Sequence, residues 1–123
     1  MVIDSSAIVD VLIGESTPSL DRILAEEPLH SPVTVDLEYM SALRRLERRQ
    51  LPAAQALERF FNLTIRRHDI QPLRDRIWQL RDNITPYDAS YVALAEALEV
   101  PLVTRDLRLA RAAEGLVEVV SGI

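Results

Sequence analysis

Short apolar runs alternate along this chain with longer stretches whose apolar residues recur every three or four positions. The first kind predicts buried strands and the second amphipathic helices. Val2-Ile3-Asp4 reads as a first strand, with Ser5 or Ser6 placed to cap a helix from Ala7 to Ile13 that Gly14 ends. Thr17-Pro18 opens a second helix to about Glu26, and Pro28 to Ser31 is a short connection or strand. The longest helical pattern runs from Val33 to about Gln50. On it Val33, Val35, Leu37, Tyr39, Met40, Ala42, Leu43 and Leu46 make an apolar face wider than one sheet contact requires, so part of it is expected to meet another chain. Pro52 starts a helix ending near Asn62, Leu63-Thr64-Ile65 is a short strand, and Pro72 to Arg81 is a helix. Thr85 and Pro86 cap and open a helix to about Glu99. Pro101 to Thr104 is a buried strand, Asp106 to Glu114 a helix, and Val117 to Val120 a last strand. This order predicts an α/β protein with a short, mainly parallel sheet flanked by helices. No linker or repeat interrupts it, and 123 residues suit one domain, 1–123.

Composition narrows the chemistry. No apolar run approaches the roughly 18 residues of a membrane helix, and Met1 leads directly into a core strand rather than a signal peptide, so a cytoplasmic protein is expected. There is no cysteine, which removes disulfides, thiolate metal sites and thiol catalysis. All fourteen basic residues are arginine, which removes the P-loop lysine and Schiff-base chemistry. Three glycines are too few for a nucleotide-cradling loop. His30 and His68 stand far apart without ligand spacing and read as turn or surface residues. A net charge of −5 argues against a generic nucleic-acid binder, yet arginines cluster at 44–49, 66–67, 74–81 and 105–111. An acidic centre ringed by arginine suits a metal-dependent nuclease; it equally suits a solvated helical surface.

Carboxylates, hydroxyls and arginines remain. Ligands of parallel α/β sheets bind beyond the carboxyl ends of the strands. Asp4 closes the first strand, and Asp106 lies two residues past Thr104, just beyond a later one. Asp106 equally fits as the cap of the following helix. Asp88 stands at capping-box distance from Thr85, but it shares a helical line with Val92 and Ala95 and so points inward. Glu38 sits at the border of the long helix's two faces, with Arg45 and Arg49 on nearly the same line; alone it reads as an exposed acid favoured by the helix dipole. Grouped, Asp4, Glu38, Asp88 and Asp106 form an oxygen-only ligand set, which selects hard cations such as Mg2+ or Mn2+. Their mutual repulsion would raise their pKa values, and a divalent ion would reverse that penalty.

The neighbours of these acids resemble the PIN-domain family, specifically VapC toxins. The stretches that carry the likeness are Val2-Ile3-Asp4-Ser5-Ser6-Ala7, Asp36-Leu37-Glu38 with Ser41-Ala42-Leu43-Arg44-Arg45, Tyr87-Asp88-Ala89-Ser90-Tyr91-Val92-Ala93-Leu94-Ala95, and Leu102-Val103-Thr104-Arg105-Asp106. Together they span residues 1 to about 113. The resemblance implies a PIN-like three-layer sandwich and a Mg2+- or Mn2+-dependent ribonuclease. It places Asp4, Glu38, Asp88 and Asp106 at the family's four acidic positions. Asp4 and Asp88 are then the expected direct ligands, with Glu38 and Asp106 completing the site or acting through water. Ser6 and Thr104 match hydroxyl positions that help orient metal or water. The resemblance does not assign the arginines; Arg45 and Arg49, on the helical line of Glu38, are candidates for holding the RNA backbone. A homodimer and a cognate VapB-like antitoxin are implied as well. Two other readings stay open: a PIN-like module that binds RNA or protein without cutting, and an aspartyl-phosphate phosphoacceptor built on Asp4. The missing lysine and Ser6, where a second aspartate is expected, count against the phosphoacceptor.

Overall fold

The computed structural model describes residues 1–13, 17–25, 28–50 and 52–121. Its elements are β1 (Val2–Ile3), α1 (Ser5–Leu12), α2 (Pro18–Ala25), β2 (Leu29–Pro32), α3 (Val35–Glu47), α4 (Ala53–Asn62) and β3 (Ile65–His68). A 3-10 turn (Gln71–Leu73) then leads into α5 (Arg74–Gln79), α6 (Pro86–Leu98), β4 (Leu102–Val103), α7 (Leu107–Ala113) and β5 (Val119–Val120). The strands form one sheet in the order β3-β2-β1-β4-β5, with every pairing parallel.

Side chains alternate across the strands, and the two faces build separate cores. Ile3 and Val103 face a cluster with Ala7, Leu20, Val35, Tyr39 and Phe60 from α1 to α4. Val2 and Leu102 face the other way, onto Leu73, Val92, Leu94 and Leu109 from the α5, α6 and α7 side. The result is helices, sheet and helices in three layers. Helix α6 is buried at every position from Ala89 to Ala95, because it packs on the sheet at the centre of its layer. Among the described residues no helix is long and apolar enough to cross a membrane.

The expected fold class holds, and the element boundaries move. The chain enters α1 one residue after the strand, so Asp4 is the N-cap position and Ser5 and Ser6 are its first helical residues; neither serine is the cap. Strand β3 starts at Ile65 rather than Leu63, since Leu63 is the extended residue that closes α4. The expected helix from Pro72 to Arg81 divides into the 3-10 turn and the short α5. Helix α3 ends at Glu47, and Gln50 turns the chain with a left-handed φ of 60°. Gly14 and Glu26, the expected ends of the first two helices, lie outside the described residues.

The histidines differ most from expectation. His30 on β2 and His68 on β3 are 38 residues apart in sequence, yet His30 Nδ1 and His68 Nε2 approach to 2.8 Å. His30 is buried rather than in a surface turn.

Candidate active site

The chain runs outward from β1 through β2 to β3, then returns to lay β4 and β5 on the opposite side. The strand order therefore reverses between β1 and β4, and a crevice opens there beyond their carboxyl ends. Asp4 follows β1 and Thr104 to Asp106 follow β4, so both segments feed that crevice. An open groove of about 1190 Å³ lies over it, lined by Asp4, Glu38, Asp88 and Asp106 together with Ser5, Ser6 and Thr34. The four acids singled out from the sequence thus border one groove.

Asp4 is the most enclosed, at 5% exposure. Its Oδ2 accepts from Ser6 Oγ at 2.7 Å and Thr104 Oγ1 at 2.8 Å, and the two hydroxyl oxygens are 3.3 Å apart. The backbone amide of Arg105 donates to Ser6 Oγ at 3.0 Å, and that of Asp106 to Thr104 Oγ1 at 3.0 Å. The hydroxyl network thus ties the ends of β1 and β4 to the carboxylate. Burial raises the Asp4 pKa, the two hydroxyls oppose that rise, and the Asp106 charge adds to it.

Glu38 is on the first turn of α3, and burial followed by the Asp4 charge pushes its pKa up to about 7. Its Oε2 accepts from Tyr91 Oη at 3.2 Å and Ser5 Oγ at 3.4 Å, and its Oε1 from Thr34 Oγ1 at 3.3 Å. Asp88 lies in the first turn of α6, three residues after its cap Thr85, whose Oγ1 accepts the Asp88 amide at 3.3 Å. Burial, Asp4 and Asp106 raise its pKa, while Arg108 offsets part of the rise. Asp106 caps α7 as the sequence allows, Oδ1 accepting the amides of Arg108 at 2.9 Å and Leu109 at 3.3 Å. At Asp106 capping and proximity to the other acids coexist.

The arginines are only partly a ring. Arg44, Arg45, Arg49 and Arg105 line the groove, Arg49 from the turn after α3 rather than from the helix itself. Arg105 Nε pairs with Asp10 at 2.9 Å on the same rim. Arg67 instead makes a two-point bond to Asp36, and Arg76 another to Glu96, so both are bound up in structural ion pairs. Leu37 and Met40, apolar residues of α3 at the groove, stay exposed at 68% and 41%. Sequence reasoning missed Tyr91, Ser5 and Thr34 as partners of Glu38. Two signals were available: Tyr91 stands three residues after Asp88, and Thr34 four residues before Glu38.

Among the described residues no three carboxylate or imidazole groups stand together closely enough to hold an ion by themselves. The donor chemistry still fits a hard cation. Magnesium keeps several waters and commonly takes one or two carboxylates, and here four carboxyl groups border one groove with three of their pKa values raised.

An α/β sandwich with an acidic crevice at its switch point is the class that fold and site define. The chain belongs to the PIN-domain family, whose model matches residues 1–115. Within that family it is similar to ribonuclease VapC9 of Mycobacterium tuberculosis, 45% identical over 113 residues that cover 89% of this chain and 87% of the relative. It is 43% identical to ribonuclease VapC1 of the same organism over 122 residues, covering 94% and 91%. Ribonuclease VapC12, also from Mycobacterium tuberculosis, is 38% identical over 118 residues, 90% of each chain. The crystal structure of PAE2754 from Pyrobaculum aerophilum shares the fold, with a TM-score of 0.70 at 20% identity, covering 98% of this chain and 87% of that one.

Proposed function

We propose that this chain is the toxin of a VapBC toxin–antitoxin pair, an endoribonuclease that cuts RNA phosphodiester bonds and is silenced by a cognate VapB-like antitoxin. The observation that carries the site assignment is the meeting of Asp4, Glu38, Asp88 and Asp106 on one groove, where burial and mutual charge raise the pKa values of the first three. That arrangement costs stability in the empty protein and makes sense if a divalent cation relieves it.

Asp4 and Asp88 would hold Mg2+ or Mn2+, with Glu38 and Asp106 completing its surroundings. When bound, the cation supplies charge neutralisation at the scissile phosphate and lowers the pKa of a nearby water. The chain's own residues do the rest. Ser6 and Thr104 fix the orientation of Asp4 through its Oδ2. Glu38, on the groove with its carboxylate held by Tyr91, Ser5 and Thr34, is placed to accept a proton from the attacking water. Arg45 and Arg49 on the groove wall hold the RNA backbone by charge. The exposed Leu37 and Met40 beside them supply apolar area for the antitoxin or for a second copy in a homodimer.

The test is cleavage of bulk bacterial RNA by the purified chain. EDTA should abolish it and added magnesium or manganese should restore it. Cutting that persists in EDTA would overturn the cation-dependent mechanism. A chain that shifts RNA mobility in magnesium without producing fragments would be a binding module instead.

A further inference from the structure

Two tyrosines are fully buried, and their hydroxyls are used differently. Tyr39 donates to the backbone carbonyl of Ala56 at 2.9 Å, an ordinary structural bond within the α3 and α4 layer. Tyr91 donates instead to a side chain on another element, Glu38 Oε2, at 3.2 Å. A buried phenol has no water to turn to, so this carboxylate is its partner and the two groups fix each other.

We propose that Tyr91 is a positioning residue for the acidic site, holding the Glu38 carboxylate turned into the groove. The inference rests on the reading of Glu38 as a member of the reactive acid set. Asp88 and Tyr91 are three residues apart on α6 and share a face of the helix. One helix thus brings an acid to the groove and, a turn deeper, the hydroxyl that aims the acid contributed by α3. Ser5 Oγ lies 3.4 Å from the same Glu38 oxygen and 3.5 Å from Asp4 Oδ1, so its single proton can serve one carboxylate or the other. Burial and the neighbouring acids raise the Tyr91 pKa, which keeps the hydroxyl protonated and therefore a donor. Without that donor, Glu38 would be half-buried against the Asp4 charge with only the two longer hydroxyl bonds to hold it, and it would swing away.

The test is a double-mutant cycle on the full chain: parent, Tyr91→Phe, Glu38→Gln and the pair. Two quantities are read, the affinity for Mn2+ alone by calorimetry and the kcat and apparent KM on bulk RNA. Loss of a partner that orients a ligand costs on the order of 10-fold or more in metal affinity or activity. Tyr91→Phe is therefore expected to bind Mn2+ about 10-fold more weakly and to lower kcat by a similar factor with KM unchanged. In the Glu38→Gln background the same change should alter neither by more than about 2-fold. A Tyr91→Phe chain matching the parent would overturn the proposal, as would equal losses in both backgrounds, which would mean that Tyr91 acts through packing. Failure of Tyr91→Phe to fold would overturn it too, because the hydroxyl would then hold the fold itself. Failure of the underlying reading looks different: Glu38→Gln alone would then bind Mn2+ and cut RNA like the parent.

Discussion

Asp4 and Thr104 are 100 residues apart in the chain, yet Thr104 Oγ1 donates to Asp4 Oδ2 at 2.8 Å. They follow β1 and β4, the neighbouring strands between which the sheet order reverses. Ser6 reaches the same oxygen from the first turn of α1. Hydroxyls orient a carboxylate but leave its charge in place. Asp4 is therefore well satisfied in hydrogen bonds and still poorly placed as a buried anion beside Asp106 and Glu38.

Removing charge from this cluster should not destabilise the metal-free protein. Asp4→Asn keeps an oxygen that can accept from Ser6 and Thr104, and Asp88→Asn relieves repulsion with Asp4 and Asp106. Melting curves at neutral pH in chelator are expected to show both variants at or above the parent. If these acids served only as structural partners, loss of their charge would instead lower stability, by about 1 kcal/mol for each hydrogen bond weakened. A clear fall in melting temperature for both variants would exclude a strained shared site. Each should also lose at least the 10–100-fold in RNA cleavage that disturbing a metal site's surroundings typically costs.

Glu38 gives the pH dependence its sign. Its pKa in the fold is raised from 4.5 to about 7, so the folded protein holds that proton more tightly than the unfolded chain does. The associated stability is present below pH 4.5 and is lost as pH rises through about 7. In chelator, the parent should therefore lose stability across this window relative to Glu38→Gln. Mg2+ or Mn2+ should narrow the gap at high pH, because it binds the ionised site and offsets the repulsion among its carboxylates. Equal pH profiles for parent and variant would show that Glu38 carries no raised pKa.

The acids were legible in the sequence because strand ends and helix starts fix where a short side chain can go. Asp4 could only lie at the end of its strand, and Asp106 just beyond another. The layers were legible too, since strand and helix periods differ. The partners of Glu38 were not. Tyr91 lies in a continuous apolar run, Ala89 to Ala95, where periodicity gives no direction, and only the packing of α6 against α3 shows where its hydroxyl goes. Which arginines ring the groove and which are solvated surface was not legible, for a related reason. Sequence clustering does not say which side of the molecule a helix faces, and Arg67 and Arg76 spend their charge on Asp36 and Glu96. The two histidines were under-read because their contact depends on the pairing of β2 with β3.

That contact should show as a second, opposite pH effect. The bond between His30 Nδ1 and His68 Nε2 needs one imidazole donor and one acceptor, so its pattern depends on the protonation of His30. Burial lowers the His30 pKa, and the charges of His68, the N-terminal amine and Arg66 lower it further. A depressed folded pKa gives stability that is present above 6.5 and is lost as pH falls through the lower value. His68→Gln should be less stable than the parent by about 1 kcal/mol at pH 7.5. That gap should shrink towards pH 5, measured in a Glu38→Gln background so that the two effects do not overlap. A gap independent of pH would mean that the contact does not depend on the protonation of His30.

Expressing the chain alone in a bacterium should arrest growth, because an endoribonuclease without its inhibitor cuts RNA the cell needs. Asp4→Ala or Asp88→Ala should abolish the arrest, since each removes a carboxylate from the pair that would hold the cation. Co-expression of a cognate VapB-like protein should also relieve it. That relief would be expected if the partner placed a cation such as an arginine among the acids, three of whose pKa values are raised by burial and mutual charge. Arg45→Ala should behave differently from the acid variants. Arg45 is an exposed residue on the groove wall, so its loss should weaken RNA binding and reduce the salt slope by about 1 while leaving Mn2+ affinity unchanged. The two phenotypes separate chemistry from binding. If the acid variants arrest growth as strongly as the parent, toxicity comes from sequestering RNA or protein, and the non-catalytic reading of the PIN fold replaces the nuclease.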